Sequence, residues 1–238
     1  MADPLDQTAL LCDPFYEIRP GLGRNSKGHP IVQPGQIVWA HQVYPTTRPF
    51  IVDVKGYDPR DASNNTYIIS QLGPTSPTHF PIKELNLRSD ENLYVMYGKK
   101  RPAVVLQTLN TSFYNQQNPE PYLLAAPCFT FKDKHKPEYR ARVAGMEFAN
   151  LFFLPAHPPC FGDQGVIRFE HIQPVAASGV EPQMIQGTKQ CFLSDVAWAV
   201  LQHRLSVFLV GKGLDEGLEE DIKAYHDCIM EAYKATSG

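Results

Sequence analysis

The 238-residue chain has no Cys-x-x-Cys pair, no apolar run long enough for a membrane span and no excess of basic charge. Each absence removes a class of function. The five cysteines (Cys12, Cys128, Cys160, Cys191 and Cys228) are widely spaced and odd in number. That fits free thiols in a reducing compartment better than a disulfide framework or a zinc site. No stretch reaches the roughly 20 apolar residues that a bilayer crossing requires, so no membrane partner is expected. The opening Met-Ala-Asp-Pro-Leu-Asp has no basic segment followed by an apolar run, so no signal peptide is expected and a cytoplasmic address follows. The formal net charge of −3 gives no bulk attraction to nucleic acid, so polyanion binding has to come from a local patch.

What the chain does have is proline, 21 of them, which favours loops and strand ends over long helices. Hydrophobic residues at 43% and charged residues at 20% fit one large globular domain, or a small one with additions. Residues 1–30, rich in Pro, Gly, Asp and Asn, read as an extended arm. Within them Gly21-Leu-Gly-Arg-Asn-Ser is half of a phosphate loop, but no strand precedes it and no helix follows. From Ile31 the texture is that of strands. Gly35–Tyr44, Phe50–Val54, Thr66–Ser70, Leu93–Tyr97, 101–107 and 122–126 are short, β-branched or aromatic, and divided by Gly, Pro and Asn. Arg140–Ala144 and Gly165–Ile172 alternate polar and apolar residues, which also predicts half-buried strands. Such a series means a compact sandwich or barrel.

The last part changes character. Ser194-Asp195 is suited to cap a helix whose apolar face is Val196, Ala199, Val200, Leu205, Phe208 and Leu209, with Gly211 and Gly213 as the stop. A second helix follows, with Leu218, Ile222, Tyr225, Ile229 and Tyr233 at helical spacing and acids near its start. Both are expected to pack on the barrel or on a dimer mate.

The chemistry centres on Arg101 at the mouth of one apolar strand and Thr130 at the end of the next. A guanidinium beside a hydroxyl is a usual phosphate grip, because the fork donates paired hydrogen bonds to two oxygens. Four segments, Gly35-Gln-Ile-Val-Trp39, Arg101-Pro-Ala-Val-Val-Leu106, Ala125-Ala-Pro-Cys-Phe-Thr130 and Val166-Ile-Arg-Phe-Glu-His-Ile172, stand in an order that resembles the bacterial PemK/MazF toxins over about residues 31–176. The chain departs from that pattern in three places. The interval before Arg101 is long, Phe129 intrudes before Thr130 so that either residue can hold the threonine position, and His171 stands where a glutamine is usual. A rival register uses Arg48-Pro-Phe-Ile-Val52 with Gly73-Pro-Thr-Ser76.

The resemblance implies a mainly β, SH3-like barrel over 31–190 with an inserted strand-and-loop region at about 53–97, and C-terminal helices at 191–238. It also implies a metal-independent endoribonuclease that cuts single-stranded RNA by 2′-hydroxyl attack, needs no cofactor, is neutralised by an antitoxin and forms a homodimer. Arg101 and Thr130 are the implied catalytic pair. The other reading is an inactive barrel of the same type that binds protein or nucleic acid. Lys99, Lys100 and Lys132 flank the site as candidate RNA contacts, with Lys134 and Lys136 beyond, and Phe129 and Phe131 as candidate stacking rings. The proton acceptor stays open among His41, His135, His171 and Asp133. Cys128 is the candidate nucleophile if the chemistry is covalent. His157-Pro-Pro-Cys160 brings two ligand types together with no partner pair, so no metal is expected.

Overall fold

A computed structural model describes residues 14–44, 50–56, 58, 60–61, 64, 66–71, 94–109 and 121–237. Arg48, the 73–76 element of the rival register, Cys12 and the loop at 115–119 lie outside them. The chain divides into two compact units, Met1–Gln42 with Lys100–Gly238, and Val43–Lys99.

The larger unit is built on β2 (Ile37–Val43), β6 (Gly98–Leu109), β7 (Tyr122–Thr130), β8 (Leu151–Leu154), β9 (Gly165–Arg168), β10 (Gln173–Ala176) and β11 (Val180–Pro182). Their order is β11-β2-β6-β7-β9-β8, with β10 also on β7. This is an open path, so the closed SH3-like barrel of the resemblance is not present among the described strands. β7 is the hub. One edge pairs antiparallel with β6, while the other takes β10 along Tyr122–Ala125 and β9 along Cys128–Thr130. β9 comes so close that a Cβ on Gly165 would lie 2.8 Å from the Phe129 carbonyl oxygen, which requires glycine there.

Strand alternation sorts the side chains of β6 and β7. Val104, Leu106, Ala126 and Cys128 enter the main core with Ile37, Phe152 and Ile167. Ala103, Val105, Leu123 and Ala125 enter a second cluster with Val38, Ala40 and Val175. A separate small sheet pairs β1 (Tyr16–Pro20) with β13 (Lys189–Leu193), and β12 (Met184–Ile185) on β13's other edge. Residues 16–20, expected in an extended arm, are therefore a paired strand whose neighbour Phe15 is buried.

Among the described residues three helices complete the unit: α1 (Pro137–Ala144), α2 (Asp195–Val210) and α3 (Glu216–Ser237). The strand expected at 140–144 is the end of α1. Pro137 fits its first turn, where the missing N–H costs nothing. The segment expected as one strand to Ile172 ends at Arg168 and gives way to a 3₁₀ turn over Phe169–His171. Ser194 caps α2 by accepting from the Ala197 N–H, and Gly211 ends it in the left-handed region, at φ 73°. The buried face of α2, however, is Ala197, Val200, Leu201, His203 and Arg204, while Val196 and Leu209 are exposed. The helix is apolar nearly all round, so periodicity could not choose its face. In α3 the expected stripe does the packing. Ile222 joins the main core, and Tyr225 and Ile229 bury with Ala141, Val143 and Phe153.

The free-thiol expectation needs correction. Cys160 and Cys191 form a disulfide that ties the loop between β8 and β9 to β13. Of the other described cysteines, Cys128 is buried and Cys228 exposed.

The smaller unit contains β3 (Phe50–Gly56), β4 (Thr66–Gln71) and β5 (Tyr94–Val95), in the order β4-β3-β5 with antiparallel pairing. Phe50 meets Tyr97 edge to face, with ring centroids 5.3 Å apart. The insertion expected at about 53–97 falls within it. No helix among the described residues is long and apolar enough to cross a membrane.

Candidate functional site

The β6–β7 register sets the geometry. Ala103 faces Pro127, so two residues further out Arg101 stands opposite Phe129. Its guanidinium carbon lies 4.7 Å from the Phe129 ring centroid, a cation–π contact. Phe129 thus occupies the position facing the arginine. Thr130, next along a regular strand, is exposed and points to the other face by alternation. The expected pairing of Arg101 with Thr130 on one surface is therefore replaced by a pairing of Arg101 with Phe129.

Two further side chains join this ring. Arg168, on the same face of β9, has its guanidinium carbon 5.8 Å from the Phe129 centroid. His171, brought round by the 3₁₀ turn, meets Phe129 edge to face at 5.3 Å. Arg168 is held by Glu170, with Nε donating to Oε1 at 2.9 Å and Nη2 to the same oxygen at 2.5 Å. Asn150 donates to the other Glu170 oxygen at 3.3 Å. Burial alone would raise the Glu170 carboxyl, but a backbone hydrogen bond and Arg168 bring it below its ordinary value.

His171 is only 5% exposed, and its Nε2 is enclosed with no hydrogen-bond partner. Burial pushes its pKa down, Arg168 and Arg101 push the same way, and Glu170 opposes them. The imidazole is therefore neutral at pH 7, the form that accepts a proton.

The other histidine candidates are placed differently. His41 is exposed on β2. His135 sits in the loop after β7, where Nδ1 accepts from the Lys132 N–H at 2.9 Å. Burial and the charges of Lys134, Arg140 and Lys132 lower its pKa. Asp133 is exposed in the same turn. Phe131, the second candidate stacking ring, is engaged with His135, Tyr139, Phe153 and Arg140.

The lysines also separate. Lys100 is drawn to Glu181, with Nζ 2.5 Å from Oε2. Lys99 is exposed and belongs to the smaller unit. Lys132, Lys134 and Lys136 are exposed in the 131–136 loop that continues β7, with Asp133 among them, and Arg140 folds back onto the Lys132 carbonyl and the Phe131 ring. Cys128 is unsuited to nucleophilic work, since burial pushes its thiol far up. Cys160 is consumed by the disulfide, which removes it as a ligand beside His157. Among the described residues no group of three or more His, Cys, Asp or Glu stands close enough to hold a metal ion.

Sequence reasoning missed Arg168. Its signal was available in the alternation Val166-Ile-Arg168, which puts the guanidinium on the Val166 side and hence beside Phe129. No family model and no curated protein matches the chain.

Proposed function

We propose that the chain binds single-stranded RNA and cleaves it without a metal, with the phosphodiester held at the Arg101–Phe129–Arg168–His171 cluster. The observation that carries this reading is the convergence of two guanidiniums on one ring beside a neutral, enclosed histidine lacking a partner at Nε2. Arg101 gives up a cation–π contact worth about 0.5–1 kcal/mol when exposed. It gains charge-assisted hydrogen bonds to phosphate oxygens, each worth about 1.5–3 kcal/mol.

In the cleavage step the bound strand first uncovers the enclosed His171 Nε2, the 2′-hydroxyl passes its proton to it, and the hydroxyl oxygen attacks phosphorus. The bond from phosphorus to the 5′-oxygen breaks, and that oxygen takes a proton from water. The products are a 2′,3′-cyclic phosphate and a 5′-hydroxyl. Negative charge gathers on the non-bridging oxygens, where Arg101 and Arg168 stabilise it. Lys132 and its loop neighbours extend the track for the strand. Neutralisation by an antitoxin, a homodimer and an SH3-like ancestry belong to the same reading through the PemK/MazF resemblance. So does a cytoplasmic address. There the Cys160–Cys191 bridge would face reducing thiols, from which its burial shields it.

The second reading is an RNA-binding module without chemistry. It is favoured by the enclosure of His171 and by Thr130 lying on the far face of β7. Incubation of labelled single-stranded RNA with the protein in EDTA separates the two. Fragments ending in 2′,3′-cyclic phosphate that disappear with Arg101→Ala support cleavage. Arg101-dependent binding of intact RNA supports the module, and neither result leaves both readings without support.

A further inference from the structure

A second buried guanidinium lies away from this site. Arg204, on the inner face of α2, is 5% exposed, and no acceptor reaches its enclosed Nε. Burial lowers its pKa and the charge of Glu219 partly restores it, while the ion pair that Glu219 forms is with His203. A guanidinium remains charged at any ordinary pH, so burying it with no carboxylate in direct contact is costly.

Arg204 lines an open groove of about 290 Å³. Glu219, Ile222, Lys223 and His226 of α3 form one wall, and Gly145–Glu147, the turn after α1, forms the other. Both acids in the groove are already engaged. Glu219 accepts from His203 Nε2 at 2.6 Å, and that imidazole is fixed because its Nδ1 accepts from the Leu214 and Asp215 N–H groups. Glu147 is clamped by both Nε and Nη2 of Arg142. The groove thus supplies satisfied carboxylates and an unsatisfied cation, with Lys223 beside it and apolar surface from Ile222 and Met146.

We infer that this groove binds a small organic carboxylate, its two oxygens on Arg204 and its carbon body against Ile222 and Met146. The guanidinium fork matches a planar carboxylate, and the apolar wall distinguishes that ligand from inorganic phosphate.

The test is thermal unfolding of the full chain with sodium butyrate, inorganic phosphate or chloride at matched ionic strength. Butyrate well above its dissociation constant raises the wild-type midpoint by about 3 °C relative to chloride, and phosphate raises it less. Arg204→Met abolishes the response while itself folding as stably as wild type or more so, because replacing an unpaired buried charge with a similar apolar volume relieves desolvation. If Arg204→Met does not fold, Arg204→Lys keeps the charge, loses the fork and weakens the butyrate response about tenfold. No shift with butyrate, a larger shift with phosphate, or a full response in the variant that folds overturns the inference.

Discussion

Two buried histidines in the larger unit have opposite surroundings. His203, between α2 and α3, is fully enclosed and satisfied at both ring nitrogens, by two backbone N–H groups on one side and Glu219 on the other. His171, at the end of the sheet, is nearly as buried, but its Nε2 has no partner, and the charges of Arg168 and Arg101 act on it against that of Glu170. A fold that needs a histidine for structure completes its hydrogen bonds, as at His203. Under the proposed function, the incomplete one beside Arg101 and Arg168 is the proton acceptor. Burial alone does not tell the two roles apart; the state of the ring nitrogens does.

Substitution at each histidine tests that difference. His203→Ala is expected to cost about 3 kcal/mol of stability, because it empties a packed site and leaves Glu219 and two N–H groups without their partner. Urea unfolding measures this, and RNA chemistry per folded molecule should not change. Gly213→Ala should act in the same direction, since its Cβ would lie 2.1 Å from His203 Cε1. His171→Gln should do the reverse. Cleavage falls about a hundredfold, while the unfolding midpoint moves little. A large stability loss at His171 with unchanged cleavage would erase the distinction.

The pH dependence sharpens the contrast. The His171 pKa is depressed in the folded state, so the unfolded chain takes up its proton first as pH falls. The stability tied to it is complete above the unfolded value of about 6.5 and declines below it until the folded pKa is reached. A base must be neutral, so cleavage should persist to lower pH than an ordinary histidine allows. Glu170 titrates in a separate window. Its depressed pKa means that its contribution is present above the unfolded value of about 4.3 and is lost as pH falls through the folded one. A cleavage profile from pH 4 to 8, with His171→Gln alongside, reads both windows.

The smallest effects are expected where the sequence had placed function. Thr130→Ala should change the cleavage rate by no more than about threefold, because its hydroxyl lies on the other face of β7. Lys100→Ala removes an exposed pair with Glu181 and should cost about 0–1 kcal/mol, measured by the unfolding midpoint.

Much of the fold was legible locally. The strand around Ile37–Val43, the Ser194 cap, the Gly211 stop and the inward stripe of α3 each follow from a short window of residues. What was not legible depended on distant partners. Arg140–Ala144 alternates too briefly to exclude a helix, and Pro137 was the overlooked signal. Tyr16–Pro20 becomes a strand only because β13 offers it an edge, and Cys160 meets Cys191 across 31 residues. At the site, Arg101 stood out in the sequence because its residue type and its place before an apolar strand suit phosphate chemistry. Its partner was mistaken because one inserted residue, Phe129, shifts which side chain faces it. A single step along a strand exchanges the two faces of a sheet.

The most direct measurement compares wild-type protein and Arg101→Ala on labelled single-stranded RNA in EDTA, following fragments that end in 2′,3′-cyclic phosphate. The wild type should produce them, and the variant should be slower by about a hundredfold or more with its unfolding midpoint intact. Equal cleavage by both proteins, or intact RNA that the wild type neither cuts nor binds, would contradict a phosphate site at the end of β6.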